Sequence, residues 1–154
     1  MYEKILVPVD GSPTSELGLA EAIKLARLTG ARLMLLHVID TVAAGMIPEA
    51  AAAAATVFDA MREAGEEILA KARLETERAG VAAEVDLFET AAGRVSDLVV
   101  KEAGKRHADL IVMGTHGRRG VGRMLLGSDA ELVVRNAPVP VLLVRGRTAA
   151  VERA

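Results

Sequence analysis

Cysteine and tryptophan are absent from this 154-residue chain, and only three aromatic residues occur, Tyr2, Phe58 and Phe88. Without cysteine there is no disulfide, no thiolate metal site and no thiol nucleophile, a composition that fits a reducing interior. So few aromatic rings exclude a single-strand nucleic-acid binder that stacks bases on an aromatic platform. Neither sign of charge dominates. Against 19 Lys and Arg stand 21 Asp and Glu, a net charge of -2, so no global field draws the chain to DNA or RNA. No stretch approaches the ~20 consecutive apolar residues of a membrane span, and no membrane partner is expected. The opening MYEKILVPVDGS carries a short apolar run and no cleavage-site pattern, so the expected location is cytoplasmic. Apolar residues are abundant, at 51% against 26% charged, which predicts one domain with a sizeable core.

Strand-like and helix-like stretches alternate along the chain. KILVPV, residues 4–9, is a short β-rich run that ends at Asp10-Gly11-Ser12. Ser12 is then placed as a helix N-cap and Pro13 at the first helical position. Leu19, Ala22, Ile23 and Ala26 follow at i, i+3, i+4, i+7 spacing, and Gly30 closes the helix. Residues 31–39 form a nearly continuous apolar run, as in a strand covered on both faces. Residues 40–48 read as a loop. A long helix is expected through Ala50 to about Ala79, ended by Gly80, with Val57, Ala60, Met61, Ala64 and Ile68 keeping a helical stripe.

A strand is expected over 82–89 and a helix over 93–106, with Val95, Leu98, Val99 and Ala103 inward. A strand over 108–114, a helix from Ser128 to about Asn136 and a last strand over 139–145 complete the order βαβαβαβαβ. Strands separated by helices are not hairpins. The expected fold is therefore an open α/β domain, a parallel sheet with helices on both faces, over residues 1–146, with 147–154 a flexible tail.

GTHGRRGVGRMLLGS, residues 114–128, has five glycines, three arginines and no acid. Glycines let a ligand press against backbone, and arginines without carboxylates suit an anion. In doubly wound sheets the ligand lies beyond the carboxyl ends of the strands, where strand order reverses. This loop leaves the carboxyl end of the fourth strand, and Asp10-Gly11-Ser12 leaves that of the first. If those strands are neighbours, both segments line one crevice. Gly127-Ser128 opens the next helix, whose free N–H groups and partial positive charge favour phosphate. His116, Arg118, Arg119 and Arg123 add to it. Other phosphate motifs fail: there is no G-x-x-x-x-G-K-[ST], and Gly120-x-Gly122 lacks the third glycine of a dinucleotide fingerprint.

Local chemistry offers plainer roles for some of these residues. Ser128-x-x-Glu131 reads as a capping box, and Asp129 in the first turn favours the helix dipole. On local grounds Asp10 is equally a turn residue and a site residue. His37, inside an apolar strand, reads as a hydrogen-bonded core histidine, and His107 as a surface residue. His116, with no paired nucleophile, reads as a phosphate or ribose contact and not as a general base.

Gly114-x-x-Gly117, nine residues, then Gly127-Ser128 resembles the G-x2-G-x9-G-(S/T) signature of the ATP-binding universal stress proteins. ILVPVDGS, HV at the end of the second strand, ADLIVMGTHG and APVPVLLVR are similar to that family too, so the resemblance spans nearly the whole domain. It implies a five-stranded parallel sheet of order 3-2-1-4-5 with ATP at the ends of strands one and four, accompanied by Mg²⁺ or Mn²⁺. Carried over by position, Pro8, Val9 and Asp10 would line the adenosine, and Val38 would meet adenine through its backbone. Met113, Gly114, His116 and Gly117 would wrap the ribose and first phosphates, with Arg118 beside them. Gly127, Ser128 and Asp129 would hold the outer phosphates.

The resemblance also implies a homodimer through the last strand, with Val139 and Arg145 at its ends. One departure stands out: the position after Gly-Ser, usually small and apolar in the family, is Asp129, which brings ADP and AMP into consideration beside ATP. The expected function is a nucleotide-dependent regulatory protein of the stress response with little hydrolysis and no assigned catalytic residue. The alternatives are a slow ATPase or nucleotidyl-transfer enzyme, and a dimeric interaction protein that binds no nucleotide.

Overall fold

The computed structural model describes residues 1–41, 54–91, 93–116 and 126–146. Its elements in chain order are β1 (Lys4–Pro8), α1 (Pro13–Thr29), β2 (Arg32–Asp40), α2 (Ala54–Arg78), β3 (Ala83–Thr90), α3 (Val95–Lys105), β4 (Leu110–Gly114), α4 (Ser128–Asn136) and β5 (Val141–Val144). The five strands form one sheet in the order β3-β2-β1-β4-β5. Every pairing is parallel, and β1 lies between β2 (Lys4↔Arg32 to Pro8↔Leu36) and β4 (Ile5↔Leu110, Leu6↔Ile111). The strand order reverses between β1 and β4, as the sequence leads one to expect.

Side chains alternate across a strand, so each strand feeds two cores. Ile5, Val7, Leu33, Leu35 and Val112 face α1 and α2, where Leu19, Ala22, Leu69 and Ala72 meet them. Leu6, Met34, Leu36, Ile111 and Met113 face α3 and α4, against Val99, Ala103, Ala130 and Val133. Burial on both faces is why β1, β2 and β4 read as continuous apolar runs.

Helix α1 begins as its sequence predicts. Ser12 Oγ accepts from the Ser15 N–H at 3.2 Å, Pro13 opens the helix, and Gly30 ends it with φ 78°. The stripe on α2 differs from expectation. Val57, Ala60 and Ala64 are exposed, and the buried line runs through Gly65, Leu69, Ala72 and Thr76, flanked by half-buried Met61 and Ile68. The cause is Gly65: a Cβ there would lie 2.8 Å from the His37 ring and 2.9 Å from Leu87, so α2 sets its smallest residue against the sheet. Its expected start at residue 50 and residues 42–48 of the expected loop fall outside those described, while Asp40, expected at the start of that loop, is the last residue of β2.

Two strand and helix starts and one cap also differ. Helix α3 starts at Val95, two residues after Gly93, whose φ of 127° is not helical. Strand β5 starts after Pro140, so that proline stands at the mouth of the strand; its carbonyl accepts from the Ile111 N–H at 3.0 Å. The N-cap of α4 is Gly127, not Ser128, and Glu131 pairs with Arg135 at 2.9 Å, so the expected capping box does not form. The expected tail, 147–154, lies outside the described residues.

Candidate functional site

A cavity of about 390 Å³ opens at the carboxyl edge of the sheet where strand order reverses. That volume falls in the range of small-molecule sites, roughly 300–1,000 Å³. Its walls come from segments far apart in sequence. Pro8, Val9 and Asp10 leave β1; Val38 and Asp40 end β2; Met113 to His116 leave β4; and Gly127, Ser128 and Asp129 begin α4. Leu36, Val95, Val99, Met113, Ala130 and Val133 make much of the surface apolar. All ten sequence-predicted site residues within the described part of the chain line this one cavity. Gly117 and Arg118, with Arg119 and Arg123, lie outside the described residues.

The phosphate-favouring end is built by α4. Its first helical hydrogen bond runs from the Glu131 N–H to Gly127 O at 2.9 Å, which leaves the N–H groups of Ser128, Asp129 and Ala130 ahead of the ladder. The N-cap is a glycine and makes no side-chain cap bond. In α1, by contrast, a serine hydroxyl occupies that role. The Gly127 N–H donates to Thr115 O at 2.8 Å and fixes the helix start beside the end of β4. Exposed Ser128 and Asp129 are then available to a ligand.

Two residues of the predicted site have structural duties as well. Asp10 Oδ1 accepts from the Ser12 N–H at 2.9 Å, closing a turn of the kind aspartate favours, while the residue also lines the cavity. Asp10 thus closes the turn and lines the cavity at once. At Gly114 a Cβ would sit 2.6 Å from Thr14 O, and at Gly18 a Cβ would sit 3.1 Å from Gly114 N. These two glycines let α1 press against the end of β4, so the absence of a side chain at Gly114 serves helix packing first.

The histidines separate. His37 is 6% exposed, and its Nδ1 donates to Val9 O at 2.7 Å, as a core histidine should. His107 is exposed at φ 54°. His116 is half-buried: its carbonyl accepts from the Thr14 hydroxyl, its Nδ1 is 2.9 Å from Thr115 Oγ1, and its Nε2 is buried with no hydrogen-bond partner. The second such atom is Ser96 Oγ, also in the cavity wall. Sequence reasoning missed Ser96, along with Thr115 and Asp40. A serine in the first turn of a helix is ordinary, and only its burial sets it apart. Among the described residues no three His, Asp or Glu side chains converge as a metal site would need.

Residues 1–145 match the model of the Universal stress protein family. The universal stress protein MJ0531 of Methanocaldococcus jannaschii is 37% identical over 145 residues, 94% of this chain and 83% of the relative. The solved structure of the hypothetical protein MJ0577 superposes with a TM-score of 0.83 at 29% identity, covering 97% of this chain and 99% of the other. A universal stress protein from Archaeoglobus fulgidus in complex with dAMP matches with a TM-score of 0.69 at 25% identity, over 93% and 98% of the two chains. A universal stress protein in complex with cAMP matches at 0.68 and 28%, over 93% and 97%.

Proposed function

The chain belongs to the universal stress protein family, and from that premise we propose that it is a nucleotide-dependent regulatory protein whose cavity binds ATP with little turnover. The observation that carries this reading is the start of α4: a helix N-terminus without a side-chain cap opens on the same cavity as the orphaned His116 Nε2. Anions are stabilised at such a terminus by the unpaired N–H groups and the helix dipole. The neighbours that carry cAMP and dAMP make an adenine nucleotide the natural occupant.

In this reading Pro8, Val9 and Asp10 line the adenosine, and the Val38 backbone meets adenine. Met113, Gly114 and His116 contact the ribose and inner phosphates, joined by Gly117 and Arg118. Gly127, Ser128 and Asp129 face the outer phosphates. A Mg²⁺ or Mn²⁺ ion would rest chiefly on phosphate oxygens, since no cluster of three protein ligands exists among the described residues. Asp10 already accepts a turn hydrogen bond, and in this reading ATP acts as a ligand that changes shape or partner choice. Acid extraction of the purified protein tests the reading. Co-purified ATP supports it, ADP alone favours a slow ATPase, and the absence of nucleotide together with no binding on titration defeats it.

A further inference from the structure

Ser96 is the second residue of α3, 1% exposed, and its Oγ has no hydrogen-bond partner although it stands in the cavity wall. A buried hydroxyl without a partner is disfavoured against the same group in water, so such a group in a native fold calls for an explanation. Serines near helix starts commonly satisfy themselves on local backbone, and this one does not. The same cavity is lined by the apolar Leu36, Val38, Val95, Val99 and Met113. A largely apolar wall with a few polar groups suits a flat heterocycle that buries its faces and offers an edge for hydrogen bonds.

The placement within the fold agrees. Helix α3 packs on β2 and α4, and the α4 terminus follows β4. β2 and β4 are separated by β1 alone, which puts the two ends of the cavity about 10 Å apart, two strand spacings. A nucleoside spans that interval with its base toward β2 and its phosphates toward α4.

We propose that Ser96 Oγ hydrogen-bonds the N7 and 6-amino edge of the purine ring and is a determinant of base specificity, an inference that rests on the nucleotide reading above. The test compares wild type and Ser96→Ala for ligand-free melting temperature and for affinity to ATP, to 7-deaza-ATP, which lacks N7, and to purine riboside triphosphate, which lacks the 6-amino group. Alanine is expected to weaken ATP about five- to tenfold, the worth of one hydrogen bond. The loss is expected to vanish for the one analogue that lacks the bonded atom. The ligand-free melting temperature is expected to stay equal or rise, because the substitution removes an orphaned hydroxyl and not a bond. Equal ATP affinity in the two proteins, a loss carried unchanged through both analogues, or a lowered ligand-free melting temperature would overturn the assignment. Wild type that binds no nucleotide would instead overturn the nucleotide reading, and this inference with it.

Discussion

Asp129 stands exposed in the first turn of α4, where its backbone N–H precedes the helical ladder. The residue lines the same cavity as the proposed outer phosphates. In a largely solvated site a like charge at ~5 Å lowers affinity by roughly fivefold. A bridging divalent ion reverses the sign by giving both groups a shared counter-ion. Asp129→Asn is therefore expected to tighten ATP binding without metal, and to tighten it less, or weaken it, with Mg²⁺ present. Four titrations at fixed ionic strength check this, and equal affinities in all four would mean that the carboxylate serves the helix end alone. At this scale the lining of the cavity was legible from spacing, as at Gly114, Gly127 and Asp10. It was not legible at Ser96, because its sequence position allows a solvated polar residue equally well. Ser128 misled for the opposite reason: serine is the habitual N-cap, yet Gly127 takes that position.

Among the elements, β1 and β4 enter the sheet side by side, tied by Asp109. Its Oδ2 accepts from the Glu3 N–H at 2.8 Å and the Lys4 N–H at 2.9 Å. Those two bonds, Glu3 first, hold its carboxyl below the usual carboxylate range. A folded value below the unfolded one, about 3.9, stabilises the fold at pH above the unfolded value. That contribution is lost as pH falls through the lowered folded value. Asp109→Asn is expected to melt below wild type at neutral pH, with the difference closing in acid below about pH 4. Melting curves across that range decide it, and a difference independent of pH would contradict it. The order and type of the elements were legible because continuous apolar runs, Pro13 and Gly30 mark strands and helix ends plainly. The face of α2 was not. Alanines recur on every side of it, so periodicity carries little contrast, and the approach of Gly65 to His37 and Leu87 depends on tertiary packing.

For the whole molecule, the sheet has two edges, and β5 forms one of them with Leu142 36% exposed. An apolar edge strand invites pairing. Two copies are expected to join through β5, giving a mass in light scattering of about twice the 16.2 kDa of one chain. Leu142→Arg should return that mass to a single chain, and a wild-type monomer at high concentration would contradict the pairing. No helix among the described residues is long and apolar enough to cross a membrane. The reversal of strand order between β1 and β4 gathers residues 8–10, 38, 113–116 and 127–129 at one cavity, and the central claim is that this cavity binds ATP. The most direct test is calorimetric titration of the nucleotide-stripped protein with ATP and Mg²⁺. The account predicts saturable binding of one ATP per chain; no saturable heat up to about 1 mM ATP, the limit of weak specific affinity, would contradict it.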